Sequence, residues 1–156
     1  MSGVKHMRIG DIPAKRTAIH EGYEYVRRKF VAMGEAEHTQ VGIYEVPPGK
    51  AAYPYHCHFK NEETFYILSG EGLLKTPEGE RTVAAGDLLF FPAGTEGAHK
   101  LTCTGDAPLV YIDFDVTHDL DACLYPDSGK IGVWGKNINR LYPYDEHVDY
   151  YEGEKN

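Results

Sequence analysis

From residue 70 onward, glycine, proline and small polar residues interrupt the chain every few positions, so a helix of ordinary length has no room to form. Gly70-Glu71-Gly72, Pro77-Glu78-Gly79-Glu80, Ala85-Gly86-Asp87, Pro92-Ala93-Gly94 and Gly105-Asp106-Ala107-Pro108 all read as turns. The segments between them, 73–76, 81–84, 88–91, 99–104 and 109–116, have strand lengths and strand composition. In the last of these Val110, Ile112, Phe114 and Val116 share one face, and Tyr111, Asp113 and Asp115 share the other. Upstream, 41–46 reads as a strand that stops at Pro47-Pro48-Gly49, because two prolines cannot continue a ladder. Residues 23–31 alternate loosely and are expected to form an edge strand closed by a turn at 34–37, while residues 1–10 are expected to be partly disordered. Many short strands with no helical periodicity predict an all-β sandwich or barrel.

At 156 residues the chain suffices for one domain, which buries roughly 70% of its unfolded surface, and is too short for two ordinary ones. One domain over 1–156 is expected, with a barrel core at about 40–116 and an extension at 117–156. That tail holds the only tryptophan, Trp134, and a tyrosine-rich acidic run, so it is expected to pack on the barrel or on a partner subunit, with its ionisable residues solvated. A net charge of -8 argues against a nucleic-acid or anionic-membrane partner, since both require a basic face. No apolar run approaches the length of a membrane span and the first residues lack a signal-type apolar region, so a cytoplasmic protein is expected. Cys57, Cys103 and Cys123 are odd in number and widely spaced, as reduced thiols are.

The chemistry concentrates at residues 49–70. His56 and His58 lie at i and i+2, so on a strand both rings leave one face while Cys57 points the other way. After the break at Lys60-Asn61 a second strand can return a carboxylate to that face. Glu62 and Glu63 point to opposite sides of a strand, so only one can enter. Two imidazoles and a carboxylate in segments otherwise suited to burial cost several kcal/mol unless a cation joins them. The expected cofactor is one divalent transition metal: Zn, Mn, Fe, Co or Ni.

The pattern Gly49-x6-His56-x-His58-x4-Glu63-x6-Gly70 resembles the first motif of the cupin superfamily, with one extra residue before the first histidine. Gly86-x5-Pro92-x-Gly94 resembles the start of the second motif. Residues 92–114 and 125–133 are similar to a group of small bacterial single-domain cupins described as conserved barrel proteins or sugar-phosphate isomerases. The resemblance implies a cupin jelly-roll barrel (double-stranded β-helix) with N- and C-terminal extensions, and a metal held by His56, His58, Glu63 and a histidine of the second motif. Where the family usually places that histidine, this chain has Gly97, and Cys103 stands in place of the following asparagine. His99 is the candidate, carried in by a two-residue bulge; otherwise the site has three ligands.

Tyr44, Tyr55, Tyr66, Phe91 and Tyr111 lie on strands expected to pass near the metal and are candidates to line a substrate pocket. Lys60, Lys75, Arg81 and Lys100 are the basic residues nearest the motifs if the ligand is phosphorylated. His6, His20, His38, His118 and His147 lack companions and read as surface residues. The expectation is a metal-dependent enzyme on a small oxygen-rich metabolite, of isomerase, epimerase, decarboxylase or dioxygenase type. A non-catalytic small-molecule-binding or sensor barrel with a structural metal is the alternative. A homodimer is expected, because open sheet edges need cover.

Overall fold

The computed structural model describes residues 3–155. Among these the chain forms β1 (Ala14–His20), β2 (Tyr23–Val31), β3 (Thr39–Val46), β4 (Cys57–His58), β5 (Glu62–Ser69), β6 (Glu71–Thr76) and β7 (Gly79–Ala84). It continues with β8 (Leu88–Phe91), β9 (Lys100–Cys103), β10 (Leu109–Val116), β11 (Leu120–Tyr125), β12 (Lys130–Gly135) and β13 (Ile138–Pro143). Three single-turn 3-10 helices, Ile9–Asp11, Thr95–Gly97 and Pro126–Ser128, are the only helical pieces among the described residues.

One wall of the barrel is a six-stranded antiparallel sheet in the order β1-β2-β3-β10-β5-β8. The facing wall is made of two smaller sheets, β7-β6-β9 and β13-β12-β11-β4. They meet where His56 and His99 exchange backbone bonds, His56 N–H to His99 O at 3.1 Å and His99 N–H to His56 O at 2.8 Å. Strands crossing in this way between two walls give the all-β barrel expected of the turn spacing, in the jelly-roll form that the motif resemblance implies.

The segment read as an edge strand, β2, is covered by β1, which the sequence reading did not find. The reason is composition: β1, Ala-Lys-Arg-Thr-Ala-Ile-His, has little apolar alternation and is exposed along most of its length. Of the ten residues expected to be partly disordered, 1 and 2 lie outside the described residues. Met7, Ile9 and Ile12 lie against Ile43 and Ile112 on the outside of the large sheet. The tail does not remain apart from the barrel. β11 pairs with β4 through Cys123↔His58 and Leu124↔Cys57, so the extension completes the wall that carries the histidines.

Inside, Tyr44 stacks on Tyr111 (centroids 5.1 Å apart), Tyr111 on Phe65 (4.7 Å), and Phe65 meets Phe91 edge-on at 5.0 Å. Val46, Ile67 and Leu109 are fully buried beside them, each contributing about 1.5–3 kcal/mol of burial free energy. β10 therefore turns Tyr111, Asp113 and Asp115 inward and leaves Phe114 and Val116 outside. An apolar strand face towards solvent and two aspartates towards the core invert the usual order, and the inversion marks the barrel interior as a site.

Candidate metal centre

The three histidines come from two pieces of backbone. His58 lies on β4; His56 precedes it by two residues and so points its ring the same way; His99 precedes β9 and is the backbone partner of His56. Glu63 comes from β5 on the opposite wall. The three Nε2 atoms converge on its Oε2, at 4.0 Å for His56, 3.7 Å for His58 and 3.3 Å for His99. Imidazole centroids are 5.2 Å apart for His56 and His58 and 4.9 Å for His56 and His99. Of these four residues, His56, His58 and Glu63 form a set in which every pair of ligand atoms lies within 4.8 Å, and His99 adjoins it through Glu63.

The outer nitrogen of every ring is occupied. His56 Nδ1 lies 2.9 Å from Pro54 O, His99 Nδ1 2.9 Å from Gly97 O, and His58 Nδ1 against Asp121 Oδ2. An Nδ1–H donating to these acceptors leaves Nε2 as the atom of each ring that faces the centre. Asp121 is held in turn by the Lys60 N–H at 2.8 Å. Phe91 lies flat on His99, centroids 3.6 Å apart, and Tyr125 stacks on His56 at 5.8 Å.

Burial together with the neighbouring imidazoles holds His56 down at about 4 and His99 down at about 3, so both are neutral at ordinary pH. Burial would lower His58 as well, but its bonds to Asp121 and Cys123 and the charge of Glu63 hold it up at about 11. Burial pushes the Glu63 carboxyl up to about 7 against the pull of His58. Asp121, despite its burial, is held below the ordinary carboxylate range by His58.

The bulge expected before His99 is the single 3-10 turn Thr95–Gly97. It takes up two extra residues and drops the imidazole into the barrel, where it is 3% exposed. A side chain at Gly97 would overlap the Pro92 carbonyl oxygen, so the position the family usually gives to histidine has no space for one here.

Of the five aromatic residues expected near the metal, Phe91 touches His99, and Tyr44 and Tyr111 line the interior beyond Phe65. Tyr55 points away from the histidines into a small cluster with Cys57 and Ala98. Tyr66 lies opposite Ile112 on the outer face, 37% exposed, and lines nothing inside. The lone histidines 6, 20, 38, 118 and 147 are exposed. Among the basic candidates, Lys75 is bound to Asp127 and Arg81 to Glu78, while Lys100 sits over the Tyr23 ring.

The sequence reading missed Asp121, taken as one of the tail's solvated acids; it is 3% exposed. Its position inside the strand pattern Leu-Asp-Ala-Cys-Leu was the available signal. It also passed over Asp113 and Asp115. Their ligand atoms lie within 4.8 Å of each other and of Glu63, and Oδ1 of each is buried without a hydrogen-bond partner. Burial and mutual repulsion raise Asp113 well above its ordinary range, and burial raises Asp115. Arg27 was missed as well: Nη1 donates to Tyr44 Oη at 3.0 Å and Tyr53 Oη at 3.2 Å.

Comparison with known proteins agrees with this architecture. A family model described as "Cupin domain" matches residues 42–115. An uncharacterised protein of Methanocaldococcus jannaschii is 37% identical over 54 residues, 35% of this chain, and the match spans 42% of that relative's length. The crystal structure of a protein described as "Putative sugar phosphate isomerase" from Acidithiobacillus ferrooxidans superposes with a TM-score of 0.79 at 26% identity, over 90% of this chain and 91% of that one. A cupin-superfamily sugar phosphate isomerase from Silicibacter pomeroyi gives 0.80 at 18% identity, over 90% and 93%. A predicted oxalate decarboxylase from Thermotoga maritima gives 0.63 at 23% identity, over 71% and 97%. The last two show the fold alone. Motif, barrel and family match agree: this chain has the all-β cupin jelly-roll fold, and its residues 42–115 match the Cupin domain model.

Proposed function

We propose that this protein is a metal-dependent cupin that isomerises a small polyhydroxylated metabolite, with His56, His58, Glu63 and His99 as the metal ligands. One observation carries the metal: three imidazoles, each with Nδ1 already engaged, aim Nε2 at one carboxylate. Nitrogen and oxygen donors in this ratio fit a divalent transition metal. Such an ion supplies a Lewis acid that polarises a carbonyl or hydroxyl oxygen.

The chain provides the rest. An isomerisation moves a proton between neighbouring carbons, which requires a group able to accept and return it. Asp113 and Asp115, with Oδ1 of each unpartnered beside Glu63, are placed for that role. Phe91 and Phe65 keep water from the back of His99. The likeness to the Acidithiobacillus protein supports an isomerase over the other chemistries open to a cupin.

The test begins with chelation, followed by repletion with Mn, Fe, Co, Ni or Zn and incubation with aldoses, ketoses and their phosphates in deuterated water. Metal-dependent deuterium uptake at carbon is the expected result. Ligands that raise the melting temperature of metal-loaded protein without any exchange would instead show a binding module.

Metal uptake must displace the protons held by His58 and Glu63, whereas His56 and His99 are already neutral. Affinity therefore rises with pH: tenfold to about a hundredfold per unit below about pH 7, where both protons are lost, and about tenfold per unit above it, where only His58 releases one. Competition titration with a chromophoric chelator at pH 6, 7 and 8 reads this slope, and a pH-independent affinity would refute the assignment. Asp121→Asn removes the charge that orients His58 and is expected to weaken metal binding by about 10–100-fold in the same titration.

A further inference from the structure

β1 and β2 carry five cations, and the two faces of this ribbon treat them differently. On the outer face Arg16 is paired with Glu24 at 2.6 Å, and Arg28 with Glu45 at 3.7 Å. On the inner face Lys15 lies directly opposite Arg27, and Lys29 follows two residues along the same strand. None of these three forms an ion pair with a carboxylate among the described residues. Like charges directly opposite each other destabilise a sheet, and the same two strands avoid that cost on their other side.

The inner face is also ordered. Arg27 donates to the hydroxyls of Tyr44 and Tyr53, which are 3.1 Å from each other. Those bonds fix the guanidinium fork and leave further N–H groups with no acceptor among the described side chains. The Lys29 ammonium is held below its ordinary range, first by partial burial and then by repulsion from Arg27 and Lys15.

This face runs on toward Tyr53, the neighbour of His56. The next cross-strand pair along the ribbon, Thr17 and Tyr25, forms one wall of an open groove of about 480 Å³ that also reaches Tyr53. Tyr53 touches Arg27 with its hydroxyl and faces His56 with its ring edge, centroids 6.3 Å apart. Across the sheet Lys29 is opposite Gly42, which is opposite Asp113, so three strand spacings separate Lys29 on β2 from β5 with Glu63, roughly 14 Å of backbone. With the exposed Lys29 at one end and the ligands at the other, that distance suits a lysine side chain and a phosphorylated chain of a few carbons between them.

We propose that the inner face of β1 and β2 is the anion subsite of the barrel, where Arg27, Lys29 and Lys15 bind a phosphate monoester whose hydroxyl-bearing end reaches the Glu63 centre. Three cations match a dianion with several acceptor oxygens; a lone carboxylate needs only one guanidinium. The placement of the hydroxyl-bearing end rests on the metal reading given above, but the anion contacts need no metal and are tested without one.

The experiment uses chelator-treated full-length chain, titrated calorimetrically at low ionic strength with inorganic phosphate and separately with acetate. Lys15 and Lys29 are exposed, so K15Q/K29Q keeps the fold, and R28Q on the outer face is the control. Phosphate is expected to bind wild type and R28Q with equal affinity, at least tenfold more weakly to K15Q/K29Q, and at least tenfold more tightly than acetate. Equal phosphate affinity in K15Q/K29Q and wild type, an equal loss in R28Q, no phosphate binding at millimolar concentration, or acetate as tight as phosphate would each overturn the proposal. Failure of metal uptake in the repletion experiment leaves this result standing, and the reverse also holds.

Discussion

The double substitution His56→Ala, His58→Ala is expected to leave less than about a tenth of the metal that the wild-type chain takes up on repletion, measured by elemental analysis at neutral pH. Both rings are fixed before any ion arrives, His56 by Pro54 O and His58 by Asp121, so their loss removes two preorganised donors together. What remains, His99 and Glu63, is a pair 3.3 Å apart with no third donor of the same set. Metal content equal to wild type would remove these two residues from the ligand set. His99→Ala alone decides between four ligands and three: as a ligand its loss weakens affinity at least tenfold, and as a mere neighbour of Glu63 its loss changes affinity little.

The second large effect concerns a residue with no side chain. Gly97→Ala is expected to cost about 3 kcal/mol or more, lowering the melting temperature by roughly 6–12 °C, because the new Cβ would overlap the Pro92 carbonyl oxygen and sit 3.0 Å from its carbon. Backbone, unlike a flexible side chain, cannot step aside at small cost, and Pro92 is followed by the turn that carries His99. Metal affinity should fall along with stability. Gly97→His, which would restore the histidine position usual in cupins, is expected to be more damaging still and to add no ligand. A Gly97→Ala chain that melts within about 1 °C of wild type would show that this loop yields more readily than its contacts imply.

The legible part of the fold was the part written in turn residues. Gly70, Pro77-Glu78-Gly79, Gly86 and Pro92 punctuate strands whose bounds the structure reproduces to within a residue or two. The first motif was legible because two histidines at i and i+2 and a carboxylate on the next strand have few other uses in a barrel. The illegible parts share one cause, since charged residues inside this barrel look locally like charged residues outside it. Arg27 and Arg28 are adjacent and chemically identical, yet one is bonded to buried tyrosines and the other to a surface glutamate. Asp121 reads as one more acid in an acidic tail until β11 is paired with β4. Tyr66 was misplaced for the converse reason: an aromatic residue on a strand suggests the interior, and in β5 it is Phe65 and Ile67 that face inward. His99 was displaced because motif spacing counts residues, whereas the 3-10 turn at Thr95–Gly97 changes how far two residues travel.

The split wall gives the four candidate ligands a mechanical meaning. His58 belongs to the tail sheet, Glu63 to the six-stranded sheet, and His56 and His99 face each other across the seam between the tail sheet and the three-stranded sheet. At that seam the two plates are held by a single reciprocal pair of backbone bonds. An ion gripped by these residues would rivet the tail sheet to the rest of the barrel across a seam that few backbone bonds span.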